Sequence, residues 1–171
     1  MSMIQAFGLE IDLKTMKVTY HPERIRYGKI IIMSDADVDG AHIKNLFYTF
    51  IWNFCPQLIQ DGYIYAGVPP LYKVTMAKKY YYLKNDEALE EFRKKNAGRN
   101  YVVNRMKGLG EMDVEETEET LTSLEGRIIR QVTVQDTKAA DKLFDDLMGT
   151  AITPRKLYIK DHSKEATYNA E

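Results

Sequence analysis

The sequence lacks the features that would place it in a membrane or stabilise it with disulfides. Its single cysteine, Cys55, excludes an internal disulfide and suits the reducing cytoplasm. The longest apolar run is interrupted by Lys44, Asn45 and Asn53, so no segment is suited to span a bilayer. We therefore expect a cytoplasmic globular protein without membrane association.

A strong charge of either sign is also missing. The 24 basic and 25 acidic residues leave a formal net charge of −1, so the whole molecule offers no field that would attract a polyanion. Any contact with nucleic acid must come from a local basic patch or a bound cation. The content of 44% apolar and 29% charged residues is that of an ordinary folded domain, or of two small ones.

The first half of the chain has the pattern of an α/β fold. Residues 29–34 are rich in isoleucine and end abruptly in polar residues, which predicts a fully buried parallel strand. Residues 41–60 carry apolar side chains at helical spacing, in a stripe wide enough to predict a helix nearly surrounded by protein. Residues 63–68 supply the next strand. Strand, loop and helix together form half of a βαβ unit.

The other elements follow from shorter signals. Two prolines end the strand pattern, and a hairpin is expected around Ala77 and Lys78. Asn85 and Asp136 are placed to cap helices. We also expect a weak helix at 3–13, a loop or short strand pair at 14–28, strands at 101–105 and 127–134, an acidic helix at 114–124, and a last helix from Thr153.

The sharpest chemical signal is the acidic loop at residues 35–40, with the sequence DADVDG. Asp35, Asp37 and Asp39 repel one another, which favours a bound cation or open water around them. They follow a predicted strand, where open α/β sheets place their active sites. Oxygen ligands with retained waters suit Mg²⁺. The alternative, a solvated loop in which Asp39 caps the next helix, stays open.

Two families with similar acidic spacing are excluded. An EF-hand loop needs a glutamate at its twelfth position, which here is Leu46, and a helix before the loop instead of a strand. Phosphatases with an aspartate nucleophile carry threonine or valine at the fifth position of their motif, which here is Asp39.

Several basic side chains are candidates for phosphate contacts. A glycine turn, KGLGE, begins at Lys107 with Arg105 beside it, and its glycines allow close backbone approach to a ligand. Lys73 follows the rigid Pro-Pro segment, and His42 lies one turn after the acidic loop. An ordinary turn, a sheet-edge connection and a polar helix position remain the alternatives. The six acids at 111–119 are expected on a solvated helix face, and Cys55 in the core.

The ordered motifs resemble one family. Residues 30–43 (IIIMSDADVDGAHI) look like the signature of the Toprim domain in the B subunits of bacterial type II DNA topoisomerases, gyrase and topoisomerase IV. Residues 69–74 (PPLYKV) and 107–112 (KGLGEM) resemble two further motifs of these subunits, in the same order. Residues 147–149 (LMG), followed by Pro154 and Arg155, resemble their closing segment. The resemblance covers nearly the whole chain.

The resemblance implies a Toprim fold, which is a Rossmann-like, mostly parallel sheet flanked by helices, with a C-terminal α+β tail. Residues 1–62 would be an N-terminally truncated, metal-carrying core. Residues 63–171 would complete the sheet and form the tail, packed as one unit. The family passes one DNA duplex through a transient double-strand break in another, in an ATP-dependent reaction that supercoils or decatenates DNA.

The resemblance also implies roles for individual residues. Asp35 and Asp37, with Asp39 close by, would hold Mg²⁺ beside the scissile phosphate. The attacking tyrosine of the family lies on the partner A subunit, so none of the 12 tyrosines here need be catalytic. Lys107 would face DNA and the A subunit, and the further DNA-binding candidates are Arg105, Lys73 and His42.

The sequence departs from the family pattern in two ways. No E-G-D-S-A-like strand supplies the upstream metal-binding glutamate, and Glu10 and Glu23 have the wrong surroundings to replace it. The ATP-binding region is absent. We therefore expect a fragment that holds half of a metal site and is inactive alone. A non-catalytic docking module, or another Toprim enzyme such as a primase or nuclease, are the alternatives. The sequence does not distinguish gyrase from topoisomerase IV.

Overall fold

The computed structural model describes residues 2–106 and 108–165. A first compact unit ends at Val132 and a second begins at Thr133. The predicted α/β class is confirmed, whereas the predicted division at residue 62 stays a prediction. The helices are α1 (Ser2–Phe7), α2 (Val38–Phe54), α3 (Gln57–Gln60), α4 (Asp86–Lys95), α5 (Val114–Thr117), α6 (Thr137–Met148) and α7 (Ile152–Asp161). The strands are β1 (Glu10–Ile11), β2 (Val18–Thr19), β3 (Ile30–Ile32), β4 (Ile64–Gly67), β5 (Tyr72–Met76), β6 (Lys79–Leu83), β7 (Val102–Arg105) and β8 (Ile129–Gln131).

The first sheet carries the acidic loop. Strand β3 pairs in parallel with β4, with Ile30 opposite Ile64, and β8 joins the other edge of β4 in the antiparallel sense. The parallel pair confirms the predicted half of a βαβ unit. The prediction that β3 is fully buried was wrong, because only Ile32 is buried and its two neighbours are partly exposed.

The predicted helix at 41–60 is divided in two. Helix α2 ends at Phe54, and Cys55 leaves helical geometry with φ −158° and ψ 73°. Pro56 then starts α3. Proline has no N–H to donate and disfavours helical geometry in the residue before it, so the continuous helix was a wrong prediction. Cys55 is buried as predicted, and burial raises the pKa of its thiol, which keeps it protonated.

The prediction that α2 is nearly surrounded by protein was also wrong. Ile51 and Trp52 are buried near its C-terminal end, but Val38, Ile43 and Leu46 are exposed. The helix therefore packs along one part of its surface only. Within the described residues, no helix is both long enough and apolar enough to cross a membrane.

The second sheet has the order β6-β5-β7 and is antiparallel throughout. The predicted hairpin turn is confirmed, because Ala77 and Lys78 both have positive φ, at 50° and 63°, as a two-residue hairpin turn requires. Helix α4 covers this sheet and begins where predicted, with the Asn85 side chain accepting from the Ala88 N–H at 3.1 Å. The core of this layer consists of Val74, Met76, Leu89 and Phe92.

The second unit is a pair of helices joined by side-chain hydrogen bonds. The Asp136 carboxylate caps α6, as predicted, by accepting from the N–H groups of Lys138 and Ala139. At the other end of α6, Arg155 donates to the carbonyl oxygens of Leu147 (2.7 Å) and Gly149 (2.8 Å). Since the last carbonyls of a helix have no partner within it, this arginine from α7 satisfies two of them.

We predict that Phe92→Ala lowers the free energy of unfolding by roughly 3–5 kcal/mol, because it leaves a cavity where aromatic rings meet. The Phe92 ring lies 5.2 Å from the Tyr81 ring and 5.5 Å from the Tyr101 ring, measured between centroids. Urea denaturation measures the loss. The exposed neighbour Glu91→Ala serves as the control and should change stability by no more than about 0.5 kcal/mol. Equal losses in both variants would contradict this account of the core.

Candidate metal and nucleic-acid site

The acidic loop lies between the end of β3 and the start of α2. Asp37 is the N-cap of α2, because its Oδ1 atom accepts from the Gly40 N–H at 2.7 Å. The alternative in which Asp39 caps the helix is therefore wrong. Asp39 is exposed in the first turn of α2, where its negative charge interacts favourably with the positive end of the helix dipole.

Gly40 makes this tight loop possible. It is buried, and a Cβ atom added to it would lie 2.2 Å from the backbone oxygen of Asp35. No side chain fits there, so the loop can fold back over the first turn of α2 only with glycine at this position.

The acidic loop is joined directly to the glycine turn. Asp35 Oδ1 accepts from the backbone N–H of Leu109 at 2.7 Å, across 74 residues of sequence. Gly108 lies against the same carboxylate, and a Cβ atom on it would be 3.2 Å from Asp35 Oδ2. Gly110, by contrast, has open space around it. Sequence reasoning found both motifs but missed the contact, because nothing local to either of them indicates the partner.

All three central motifs line one small cleft. Its wall contains Ala36 from the acidic loop, Pro69 and Pro70 from the proline segment, Gly108 and Leu109 from the glycine turn, and the two methionines that flank this turn, Met106 and Met112. The backbone N–H of Met106 donates to the Leu71 carbonyl at 2.9 Å, which fixes the start of the turn on the second sheet. The fold thus assembles one site from segments distant in sequence.

Lys73 points into the protein. Its ammonium forms an ion pair with the carboxylate of Glu116, and the two side chains are only 22% and 8% exposed. The Lys73 Nζ atom also lies 4.3 Å from the centroid of the Tyr80 ring, a cation–π arrangement.

Glu116 corrects the expectation of a wholly solvated acidic helix. It is buried and forms a capping box with Asp113, in which the Glu116 N–H donates to the Asp113 carboxylate at 2.8 Å. The Asp113 N–H donates in return to Glu116 Oε2 at 3.3 Å. The D-x-x-E spacing at 113–116 is the sequence signal that could have identified it. Helix α5 then continues as a π-helix over Glu118–Thr122.

The remaining basic candidates lie at the surface or outside the described residues. Arg105 is exposed at the end of β7, opposite Tyr72 in the sheet register. His42 is exposed on α2. Lys107 lies outside the described residues. Their roles in binding DNA stay predictions.

The donor atoms suit a hard cation but are few. Asp35 and Asp37 each use Oδ1 to accept a backbone N–H, and no hydrogen bond to either Oδ2 atom is formed within the described residues. Carboxylate oxygens are the ligands that Mg²⁺ prefers. In the described part of the chain, however, no three acidic, histidine or cysteine side chains are grouped to hold a metal. The two carboxylates fit the cation in chemistry and would supply only part of its ligand set.

Two parts of the chain match known protein families. Residues 3–66 match the Toprim domain, and residues 98–160 match the family described as the DNA gyrase B subunit, carboxyl terminus. The chain is 41% identical to the DNA gyrase B subunit of Thermus thermophilus and 46% identical to that of Archaeoglobus fulgidus, over 96% of its length in both cases. It covers 26% and 25% of those relatives, so it spans about a quarter of their length.

We predict that Gly40→Ala destabilises the protein by about 1–3 kcal/mol, because the added Cβ collides with the Asp35 backbone. Thermal unfolding measures the change. Gly110→Ala is the matched control, since a Cβ there meets open space and the substitution should be neutral or slightly stabilising. Equal tolerance of both substitutions would show that the loop is not packed as described.

Proposed function

Because the chain belongs to the DNA gyrase B subunit family and matches its Toprim domain and its carboxyl terminus, we propose that it is the DNA- and Mg²⁺-binding part of a type II DNA topoisomerase. The complete enzyme would pass one duplex through a double-strand break in another, with ATP hydrolysis in a region outside this sequence. The substrate is double-stranded DNA and the partner is the topoisomerase A subunit.

The observation that carries this proposal is the hydrogen bond from Leu109 to Asp35. Asp35 lies within the Toprim match and Leu109 within the gyrase B carboxyl-terminal match, so the bond connects the two family regions at their most distinctive motifs. A site for metal-assisted chemistry on a DNA phosphate needs carboxylates for the cation and backbone or basic groups for the phosphate. The acidic loop and the glycine turn supply these two kinds of group side by side.

The carboxylates of the acidic loop would bind the cation. Asp35 and Asp37 would hold Mg²⁺, with Asp39 close by. When bound, the cation supplies stabilisation of negative charge on the phosphate and on the leaving oxygen. The chain orients these carboxylates through the Leu109 N–H and the first turn of α2. The nucleophilic tyrosine belongs to the A subunit, and the missing ligand would come from an upstream glutamate.

DNA contacts would come from the local basic residues, since the net charge of −1 gives no general attraction. Arg105 is the strongest described candidate because it is exposed and ends the strand that leads into the glycine turn. Lys107 follows in that turn, and His42 lies on α2. Lys73 is the weakest, because it would have to leave Glu116 before it could meet a phosphate.

One observation favours a second function, that of a non-catalytic docking module. The bond from the Gly40 N–H to Asp37 explains this aspartate as a helix cap without any cation. The two functions differ in the importance of the charge of Asp37, because asparagine caps a helix as well as aspartate does but is a far weaker metal ligand.

We predict that Asp37→Asn in the longer natural subunit, combined with its A partner, Mg²⁺ and supercoiled plasmid, reduces double-strand cleavage at least ~100-fold. The asparagine keeps the cap, so the melting temperature should stay near that of the wild type. Gel electrophoresis of the cleaved plasmid measures the effect, and Glu115→Gln, an exposed acid outside the loop, is the control. Wild-type cleavage by Asp37→Asn would favour the docking module.

We predict that Arg105→Ala weakens binding of duplex DNA to the same subunit and its partner to a similar extent for different sequences. Loss of one phosphate contact should reduce the slope of log affinity against log salt by about 0.9. Fluorescence anisotropy at several salt concentrations measures both quantities. Arg93→Ala, on helix α4 and paired with Glu90, is the matched control. An unchanged slope in Arg105→Ala would remove this residue from the interface.

A further inference from the structure

We propose that Lys73 and Glu116 are positioning residues whose buried ion pair holds the glycine turn against Asp35. The inference rests on the proposed function of the acidic loop as a metal site. It assigns a role in that site to two residues outside the acidic loop. We call this ion pair, Lys73 with Glu116, the brace.

The glycine turn is attached at both ends to the same part of the second sheet. At its start, the Met106 N–H donates to Leu71, the residue before β5. At its end, the chain enters α5, and Glu116 of that helix pairs with Lys73 of β5. Residues 108–112 run between these two attachments, and from there Leu109 reaches Asp35 on the other sheet. The position of the Leu109 N–H therefore depends on both attachments.

The brace is built to hold one geometry. One oxygen of Glu116 accepts from Lys73 and the other from the Asp113 N–H, so the carboxylate is fixed on two sides. The ammonium of Lys73 also contacts the ring of Tyr80. Removing Lys73 would leave the buried carboxylate of Glu116 without its cation, which is strongly unfavourable, so the pair stays closed.

When the glycine turn is held in this position, its Leu109 N–H sets the orientation of the Asp35 side chain. A backbone N–H that donates to a carboxylate at 2.7 Å is a strong, charge-assisted contact that selects one side-chain orientation. Groups that orient metal ligands in this way typically alter metal affinity 10–100-fold when they are removed. If the brace is lost, α5 and the end of the turn can shift, and the Leu109 N–H no longer holds Asp35.

The experiment follows the Leu109 amide directly by NMR, in the whole chain labelled with ¹⁵N-leucine. Glu116→Ala and Lys73→Met should shift this resonance in the same direction as Asp35→Asn, which removes the accepting charge. Glu118→Ala, an exposed acid on the same helical segment, should leave it unchanged. In parallel, a uniformly ¹⁵N-labelled sample of each variant is titrated with Mn²⁺. Broadening of the loop amides measures cation affinity, which should fall about 10-fold in the two brace variants.

Folding is checked by melting each variant. If Glu116→Ala does not fold, the double variant Lys73→Met/Glu116→Gln takes its place, because it removes both charges of the ion pair. The same shift of the Leu109 resonance and the same loss of Mn²⁺ affinity are expected for it. A folded brace variant with an unchanged Leu109 resonance and unchanged Mn²⁺ affinity overturns the proposal. If Mn²⁺ binds neither to the wild-type chain nor to the longer natural subunit, the proposed function fails, whereas a shifted Leu109 resonance still supports the brace. If Asp35→Asn abolishes Mn²⁺ binding and the brace variants do not weaken it, the brace fails and the proposed function stands.

Discussion

The contact between Asp35 and the backbone N–H of Leu109 is the constraint on which the site depends. It joins the sheet that carries the acidic loop to the sheet that carries the glycine turn, across 74 residues. The bond needs glycine at position 40, since a side chain there would displace the Asp35 backbone, and a Cβ atom at Gly108 would crowd the Asp35 carboxylate. Three motifs that are separate in the sequence become one cleft because of it.

Acidic residues of one chemical type have three different tasks in this molecule. Asp37 ends its extended segment by capping a helix, Asp35 accepts a backbone N–H from another sheet, and Glu116 is buried in an ion pair. Their surroundings, not their identity, decide the task. A carboxylate exposed to water is solvated and stays available to bind a cation. One that is removed from water must have a fixed partner within the fold.

What could be predicted from the sequence was local. The hairpin at Ala77 and Lys78 and the caps at Asn85 and Asp136 depend on a few adjacent residues, and the structure has them as predicted. The prediction of one continuous helix over 41–60 was wrong because it followed the helical spacing of the apolar residues and gave too little weight to Pro56. The acidic loop was identified as a motif, but its bond to Leu109 and the pairing of Lys73 with Glu116 are long-range contacts, which no local pattern contains.

The distance in sequence between Asp35 and Leu109 has a consequence for synthesis. The ribosome adds about 5–20 residues per second, so 74 residues take roughly 4–15 s. During that interval the acidic loop has already been made, while the turn that holds it has not. The nascent chain therefore presents three adjacent carboxylates without their partner, and binding of a cation in the mature arrangement must wait until translation has passed the glycine turn.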